Sequence, residues 1–350
     1  MNAHALLIYC RPGFEKEAAA EIQFIAGSHN IGGYVKTRPD SAYVVFLPYE
    51  PLDAAQQTLI SFRELAFARQ LVFLFSAEPW QLPPSSRITP LLDLLRDCDM
   101  RFRTLRLETA DTNEAKELSG FLKKFTPAIE SALKKSGMQQ REAEATLHLF
   151  FLDSSTLFAG LSLPGNASPW PLGIPRLRFP AGAPSRSTLK LEEAFLYFLD
   201  AEQRRELLRE GGTGVDLGAA PGGWTWQLVK HGLMVTAIDN GPMDEALMQS
   251  GQVEHLKVDG FRYRPERPVT WLVCDMVEKP ARIAELCAGW VADGVAAQAI
   301  FNLKLPMKKR YEEVQICRDL ISQRMGALPH RLEIKQLYHD REEVTVWLRR

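Results

Sequence analysis

The sequence predicts an α/β protein, with a doubly wound, mostly parallel sheet carrying one reversed strand in its C-terminal half and an α+β region of smaller units before it. Three observations carry that expectation. Past residue 186, short apolar runs alternate with helical stretches. The run Val215-Asp216-Leu217-Gly218-Ala219-Ala220-Pro221-Gly222-Gly223-Trp224 joins the first of these strands to a helix. Between the halves, the segment from Leu163 to Arg186 holds six prolines in 24 residues. Proline removes a backbone donor and biases its predecessor away from helix, so this stretch is neither a regular helix nor a central strand. It reads as a linker or surface clamp whose Trp170, Leu172, Ile174, Leu177 and Phe179 pack on something.

The elements follow from periodicity. Before the break, strands are expected at 6–9, 43–47, 68–76, 104–108 and 145–152. Helices are expected at 15–25, 91–98 and 114–135. After it, strands are expected at 213–217, 234–238, 255–258, 270–274 and 297–303, each short and apolar as befits parallel strands buried on both faces. A helical stripe runs through 308–325, and strands at 331–337 and 344–348, joined through His339-Asp340-Arg341, read as an antiparallel hairpin closing the sheet.

A chain of 350 residues, 46% hydrophobic and 24% charged, is long enough for about two domains and too apolar for wholesale disorder. Its net charge of −1 excludes a wholesale basic coat but not a local basic face. The apolar runs are too short to cross a membrane, and the first residues lack the pattern of a secretory signal, so the reading is cytoplasmic. Five cysteines, at 10, 98, 274, 287 and 317, form no Cys-x-x-Cys pair, and the seven histidines are scattered. Reduced thiols and no metal site are expected.

The loop at 218–223 is the most informative segment. Ala220 stands where a dinucleotide fingerprint needs its second glycine, and no Gly-Lys-Ser/Thr follows as in a phosphate-binding P-loop. Acidic residues fall at successive strand ends: Asp216, Asp239, Asp259 and Asp275. A pyrophosphate would be repelled by them, whereas an adenosine ligand bearing sulfonium and amino cations would not. S-adenosylmethionine therefore suits the site better than NAD, with Asp239 placed for ribose hydroxyls. The bland alternative is that strand-terminal aspartates cap helices or turns.

This loop resembles that of the Rossmann-like methyltransferases, and Asp-Leu-Gly-Ala-Ala-Pro-Gly-Gly-Trp is especially similar to the FtsJ-type ribose 2′-O-methyltransferases. The resemblance implies a seven-stranded, mostly parallel sheet with one antiparallel strand. It also implies a Lys-Asp-Lys-Glu tetrad. Lys190 in Ser187-Thr188-Leu189-Lys190 fits the first lysine, Asp275 the aspartate ending the fourth strand, Lys304 in Asn302-Leu303-Lys304-Leu305-Pro306 the second lysine, and Glu343, rather than Glu342, the glutamate. Its cofactor contacts would fall on Ser187, Asp216, Gly218, Ala220, Pro221, Gly222, Gly223, Trp224, Asp239, Asp259 and Asp275. With the proline-rich segment and the Ser-Arg-Ser-Thr-Leu-Lys-Leu-Glu-Glu-Ala run, nearly the whole chain resembles the bacterial ribosomal RNA large-subunit methyltransferase M family. That family methylates a cytidine 2′-hydroxyl of 23S rRNA. The resemblance implies a THUMP/ferredoxin-like RNA-binding region at 1–162, a linker at 163–186 and the methyltransferase domain at 187–350, acting on deproteinised or early-assembly RNA.

Chemically, methyl transfer from a sulfonium to a hydroxyl needs alignment and one proton acceptor. A lysine accepts a proton only when neutral, and a free lysine has a pKa of ~10.4. Burial and a neighbouring cation favour the neutral form, and neighbouring carboxylates oppose it. The resemblance makes Lys304 the general base. Ser187 can cap the helix carrying Lys190, contact the cofactor, or both. Ser187-x-x-Lys190 also matches a motif of penicillin-interacting hydrolases, without its companion motifs. Lys and Arg outnumber acids by nine to five over 101–141 and by eleven to seven over 301–350, and Arg176, Arg178 and Arg186 lie near Trp170 and Phe179. Cations interleaved with aromatics suit single-stranded RNA; solvated helix faces are the plain alternative. Two other readings compete: an inactive RNA-binding or assembly module on the same fold, and an NAD-dependent oxidoreductase.

Overall fold

The computed structural model describes residues 2–350. The chain divides after Ile174 into two compact units.

The first unit contains β1 (Ala5–Tyr9), α1 (Glu15–Ser28), β2 (Gly33–Thr37), β3 (Tyr43–Pro48), α2 (Ala54–Leu59), β4 (Gln70–Leu74), β5 (Trp80–Gln81), α3 (Ile88–Asp97), β6 (Thr104–Thr109), α4 (Leu118–Lys135), β7 (Thr146–Phe151) and β8 (Thr156–Ser162). They build one sheet in the order β2-β3-β1-β4-β8-β7-β6, with β5 on β8. The β4-β1-β3-β2 portion, with α1 and α2 between its strands, has the ferredoxin-like order. Central strands β1 and β4 are buried throughout, which is why, Gln70 apart, their sequences are apolar runs rather than alternating ones. Helix α1 buries Ala18, Ile22, Ile25 and Ala26, the helical stripe expected. One buried polar group of this unit is well paired: Glu108 accepts from Tyr9 at 2.9 Å and contacts His148 Nδ1 at 2.8 Å.

Four elements of this unit escape a periodicity reading. Strand β2 is half exposed and β5 has two residues, so neither carries a strong apolar alternation. Helix α2 has a single turn and a half, held by a capping box between Asp53 and Gln56. Strand β8 packs both faces and carries Gly160 in its middle, which reads as a breaker in sequence.

The second unit contains α5 (Thr188–Phe198), α6 (Ala201–Leu207), β9 (Thr213–Leu217), α7 (Gly223–Lys230), β10 (Met234–Ile238), α8 (Glu245–Met248), β11 (Val253–Leu256), β12 (Val269–Cys274), α9 (Pro280–Ala292), β13 (Ala296–Lys304), α10 (Arg310–Met325), β14 (Arg331–Lys335) and β15 (Glu343–Arg349). Its sheet has the order β11-β10-β9-β12-β13-β15-β14, and β15 alone runs against its neighbours. This is the seven-stranded Rossmann-like arrangement with one reversed strand. Two expected boundaries move. The third strand sits two residues earlier than expected, because this edge strand is only half buried and its periodicity is weak. The helix expected from 308 begins at Arg310, since Lys309 takes a left-handed φ of 58°. The core on the α5 and α7 side gathers Phe195, Phe198, Trp224, Trp271 and Trp347. Trp271 lies fully buried in a central strand, its indole donating to Leu207 O at 2.8 Å.

Candidate active site

Sheet register assembles the site. Strands β12, β13 and β15 lie side by side, and their ends meet at one edge of the sheet. Asp275 is the first residue past β12. Lys304 is the last residue of β13, and it pairs in register with Glu343, the first of β15. Helix α5 supplies Lys190 from its first turn, while its Leu191, Ala194, Phe195 and Phe198 pack into the core. The four side chains converge. Lys190 donates to Glu343 and lies 3.5 Å from Asp275. Lys304 donates to Asp275 and lies 3.9 Å from Glu343. Each lysine thus faces both carboxylates, and all four groups are largely shielded from water. Glu342 is exposed and pairs with Arg310 at 2.9 Å, outside the cluster.

The surroundings of Lys190 set its charge. Burial works to pull the Lys190 ammonium down, but Asp275 and the hydrogen bond to Glu343 outweigh it and hold the group above the ordinary lysine value. Lys190 is therefore a fixed cation here.

Beside the cluster, β9 runs into the glycine loop. Gly218 takes a φ of +78° against Met276, and a Cβ there would fall 2.7 Å from the Met276 Cγ. A Cβ on Gly223, which opens α7, would fall 2.2 Å from the Ser187 hydroxyl. Both glycines are thus demanded by the protein's own packing. Ala220 and Pro221 line the turn, Ala220 half buried and Pro221 exposed. Gly222 starts the helix with φ +117°.

The aspartates divide into different environments. Asp239 closes β10 and ties down the loop, accepting from Ala220 N at 3.1 Å and Gly241 N at 2.7 Å. Asp259 lies three residues beyond β11, exposed, and accepts from Phe261 N at 2.9 Å. Asp216 lies inside β9, not at its end, and is buried. Its Oδ2 accepts from Thr225 at 2.7 Å, while its Oδ1 is buried without a partner. Burial, with Asp275 and Asp239 nearby, pushes the Asp216 carboxyl up to about 7. A carboxyl raised this way keeps its proton longer in the folded than in the unfolded chain, where its pKa is roughly 3.9. Its contribution to stability is complete below about pH 4 and is lost as pH rises through about 7. Asp216→Asn is expected to flatten that fall, which thermal melts between pH 4 and 8 can read; identical slopes for both proteins would contradict it.

One of the roles open to Ser187 is excluded. Ser187 does not cap α5 through its side chain. Its hydroxyl meets Ser185 at 2.6 Å, and its carbonyl accepts from the Trp224 indole at 3.0 Å. The Trp224 side chain is buried in the core.

Sequence reasoning missed the supports of the cluster. Asn302 donates to Asp275 at 3.0 Å. Glu193, one turn past Lys190, accepts from Tyr338 N at 2.8 Å and His339 N at 2.9 Å, fixing the β14–β15 turn against α5. The available signal was period two: 302 with 304, and 343 with 345, share a face of their strands. Among the described residues, no group of three or more His, Cys, Asp or Glu could hold a metal, and no helix is long and apolar enough to cross a membrane. All five cysteines are free thiols.

Residues 3–72 match the RlmM ferredoxin-like domain, 86–163 the N-terminal domain of ribosomal RNA large subunit methyltransferase M, and 183–318 the FtsJ-like methyltransferase. A ribosomal RNA large subunit methyltransferase M from Methylococcus capsulatus is 54% identical over 348 residues, covering 98% of this chain and 97% of its own. The chain belongs to the ribosomal RNA large subunit methyltransferase M family. Family members from Thauera aminoaromatica and an Azoarcus species are 51% and 49% identical, over 98% and 99% of this chain. Among solved structures, TrmN from Thermus thermophilus covers 99% of both chains at a TM-score of 0.38 and 12% identity, too distant to bear on the assignment.

Proposed function

We propose that this chain transfers a methyl group from S-adenosylmethionine to the ribose 2′-hydroxyl of a cytidine in 23S rRNA. The observation that supports it most is the convergence of Lys190, Asp275, Lys304 and Glu343 beside the glycine loop, in a member of this family. The cofactor supplies the methyl group on a good leaving group. The residues at the loop suit it. The unpartnered Oδ1 of Asp216 calls for a donor, which an amino group or its attendant water provides. Asp239 keeps acceptor capacity for ribose hydroxyls beyond its two backbone contacts. Ser187, Gly218, Ala220, Pro221, Gly222, Gly223 and the Trp224 backbone would line the turn around it, with Asp259 and Asp275 at its margins.

Lys304 takes the proton of the attacking hydroxyl. Lys190, fixed as a cation, cannot; it keeps the two carboxylates occupied and disfavours a second positive charge beside it. Asp275 and Glu343 hold both amines in place. No metal enters this scheme.

We read 1–162 as a THUMP-type RNA-binding region, 163–186 as the linker and 187–350 as the methyltransferase domain. Helix α4 presents Lys123, Lys124, Lys134 and Lys135 to solvent, opposite its buried Leu122, Ile129 and Leu133. Reversing these four charges is expected to weaken RNA binding and to flatten its salt dependence, by roughly 0.7 in log–log slope for each phosphate no longer neutralised. An unchanged salt series would remove the patch from the interface.

The function itself is tested by mapping ribose methylation in 23S rRNA from a strain lacking the gene, then adding the purified protein and S-adenosylmethionine to that RNA, deproteinised or as early-assembly particles. Loss of one 2′-O-methylcytidine, restored by the protein, is expected. Intact methylation in the deletion strain would end the proposal.

A further inference from the structure

Behind the four charged groups lies a second layer of polar side chains, nearly all fully buried. Asn302, Thr345 and Asp340 are shielded from water almost completely. Thr345 Oγ1 lies 2.8 Å from Asn302 Oδ1, and 3.1 and 3.0 Å from the two carboxyl oxygens of Asp340. Asn302 Nδ2 lies 3.0 Å from Asp275 Oδ1, and Asp340 Oδ2 accepts from Leu337 N at 2.9 Å.

Donor and acceptor counting gives this layer a direction. Asp275, facing two lysines, is an acceptor, so Asn302 must turn its NH2 toward it and its carbonyl toward Thr345. Thr345 has one hydroxyl proton, and the carbonyl of Asn302 can only accept it. Asp340 then faces a lone pair of Thr345 and satisfies it only by donating. We propose that Asp340 is held as a neutral acid, and that Asp340, Thr345 and Asn302 form a one-way hydrogen-bond chain that aims Asp275 between the two lysines. The reverse assignment, with an ionised Asp340 taking the Thr345 proton, leaves the Asn302 carbonyl buried without a donor, at the cost of a lost hydrogen bond.

The charges around Asp340 agree. Burial raises its carboxyl well above the usual range, Glu343 on β15 and Glu193 on α5 add to this, and the hydrogen bond from Leu337 N and the charge of Lys190 on α5 oppose it without prevailing. Asp340, Thr345 and Asn302 are positioning residues, since none reaches a substrate atom except through Asp275. Asp275 binds Asn302 and Lys304 through the same oxygen, Oδ1. Its other oxygen faces Lys190. A carboxylate free to rotate would lose that division between the two amines.

This inference rests on the proposed methyl transfer for its kinetic arm, but its protonation arm does not. In the full-length protein acting on 23S rRNA from the deletion strain, Thr345→Val is expected to lower kcat by about 10- to 100-fold, with the KM for S-adenosylmethionine unchanged. Thr345→Ser should restore most of the rate. Asp340→Ala should show the same loss, and Asp340→Asn should recover most of it, because a carboxamide can donate to Thr345 while accepting from Leu337 N. Difference infrared spectra of the free protein, wild type against Asp340→Asn, should show the carbonyl band of a protonated carboxylic acid. An Asp340→Asn enzyme as slow as Asp340→Ala, or the absence of that band, would overturn the neutral acid. Full kcat in Thr345→Val would overturn the chain. A wild-type protein that shows the band yet methylates no RNA would sink the proposed function and leave the protonation state standing.

Discussion

Lys304→Ala is expected to lower single-turnover methyl transfer by about 10²–10⁴-fold, the range a positioned proton acceptor contributes. The effect follows from position. Lys304 ends β13 at the sheet edge where β12 and β15 also present their acids, on a different element from the turn between β9 and α7 that would hold the cofactor. Removing its side chain deletes the proton acceptor and leaves the glycine loop, Asp239 and Asp216 untouched. S-adenosylmethionine affinity, measured by calorimetry, should therefore stay near that of the wild type while the chemical step collapses. The same substitution leaves Lys190 bridging Asp275 and Glu343, so the fold should survive. A rate near that of the wild type would exclude Lys304 as base. A parallel loss of cofactor binding would mean that the tetrad and the cofactor turn are coupled more tightly than their separate elements suggest.

How much of this was legible in the sequence depends on which force fixes each feature. The strands β9, β10, β12, β13 and β15 were readable because strands buried on both faces are predominantly apolar. Lys190, Asp275, Lys304 and Glu343 were readable through resemblance, because their spacing along the chain has no local pattern; 153 residues separate Lys190 from Glu343. Their meeting is a property of strand order, and a one-residue slip of β15 would turn Glu343 to the other face. Asn302 and Thr345 carried only the period-two signal that they share with Lys304 and Glu343, and Asp340 carried none. A polar residue inside a strand looks like an interruption until its partner on the next strand is known. Asp216 was legible as an acid but not as a buried one, since nothing in the sequence separates a strand-end carboxylate from one sealed inside the sheet. Of the two roles open to Ser187, capping is the ordinary one for a serine before a helix, but here Ser185 and the α7 helix claim its polar atoms. The edge strand β2 and the short β5 failed for the opposite reason: too little of each is buried to leave an apolar imprint.

Lys190→Ala should slow methylation through charge rather than contact. In the native cluster two amines face two carboxylates. Without Lys190, Asp275 and Glu343 both face Lys304 alone, and an amine flanked by two anions holds its proton more tightly. At neutral pH fewer molecules then carry the neutral amine that attack requires, and the rate should fall by roughly 10- to 1,000-fold. The sign is testable without any structure of the variant. Because the deficit lies in proton occupancy, the rising limb of the pH–rate profile should move to higher pH, and the variant should regain much of its rate in alkaline buffer. Lys190→Arg keeps the positive charge, so its profile should stay close to that of the wild type even where the fork geometry of arginine costs some rate. A uniform loss at every pH would instead mean that Lys190 works by holding Glu343 and Asp275 in place. Lys190 is the appropriate residue for this test because its own proton is secure: the surrounding acids hold it above the ordinary lysine value despite burial.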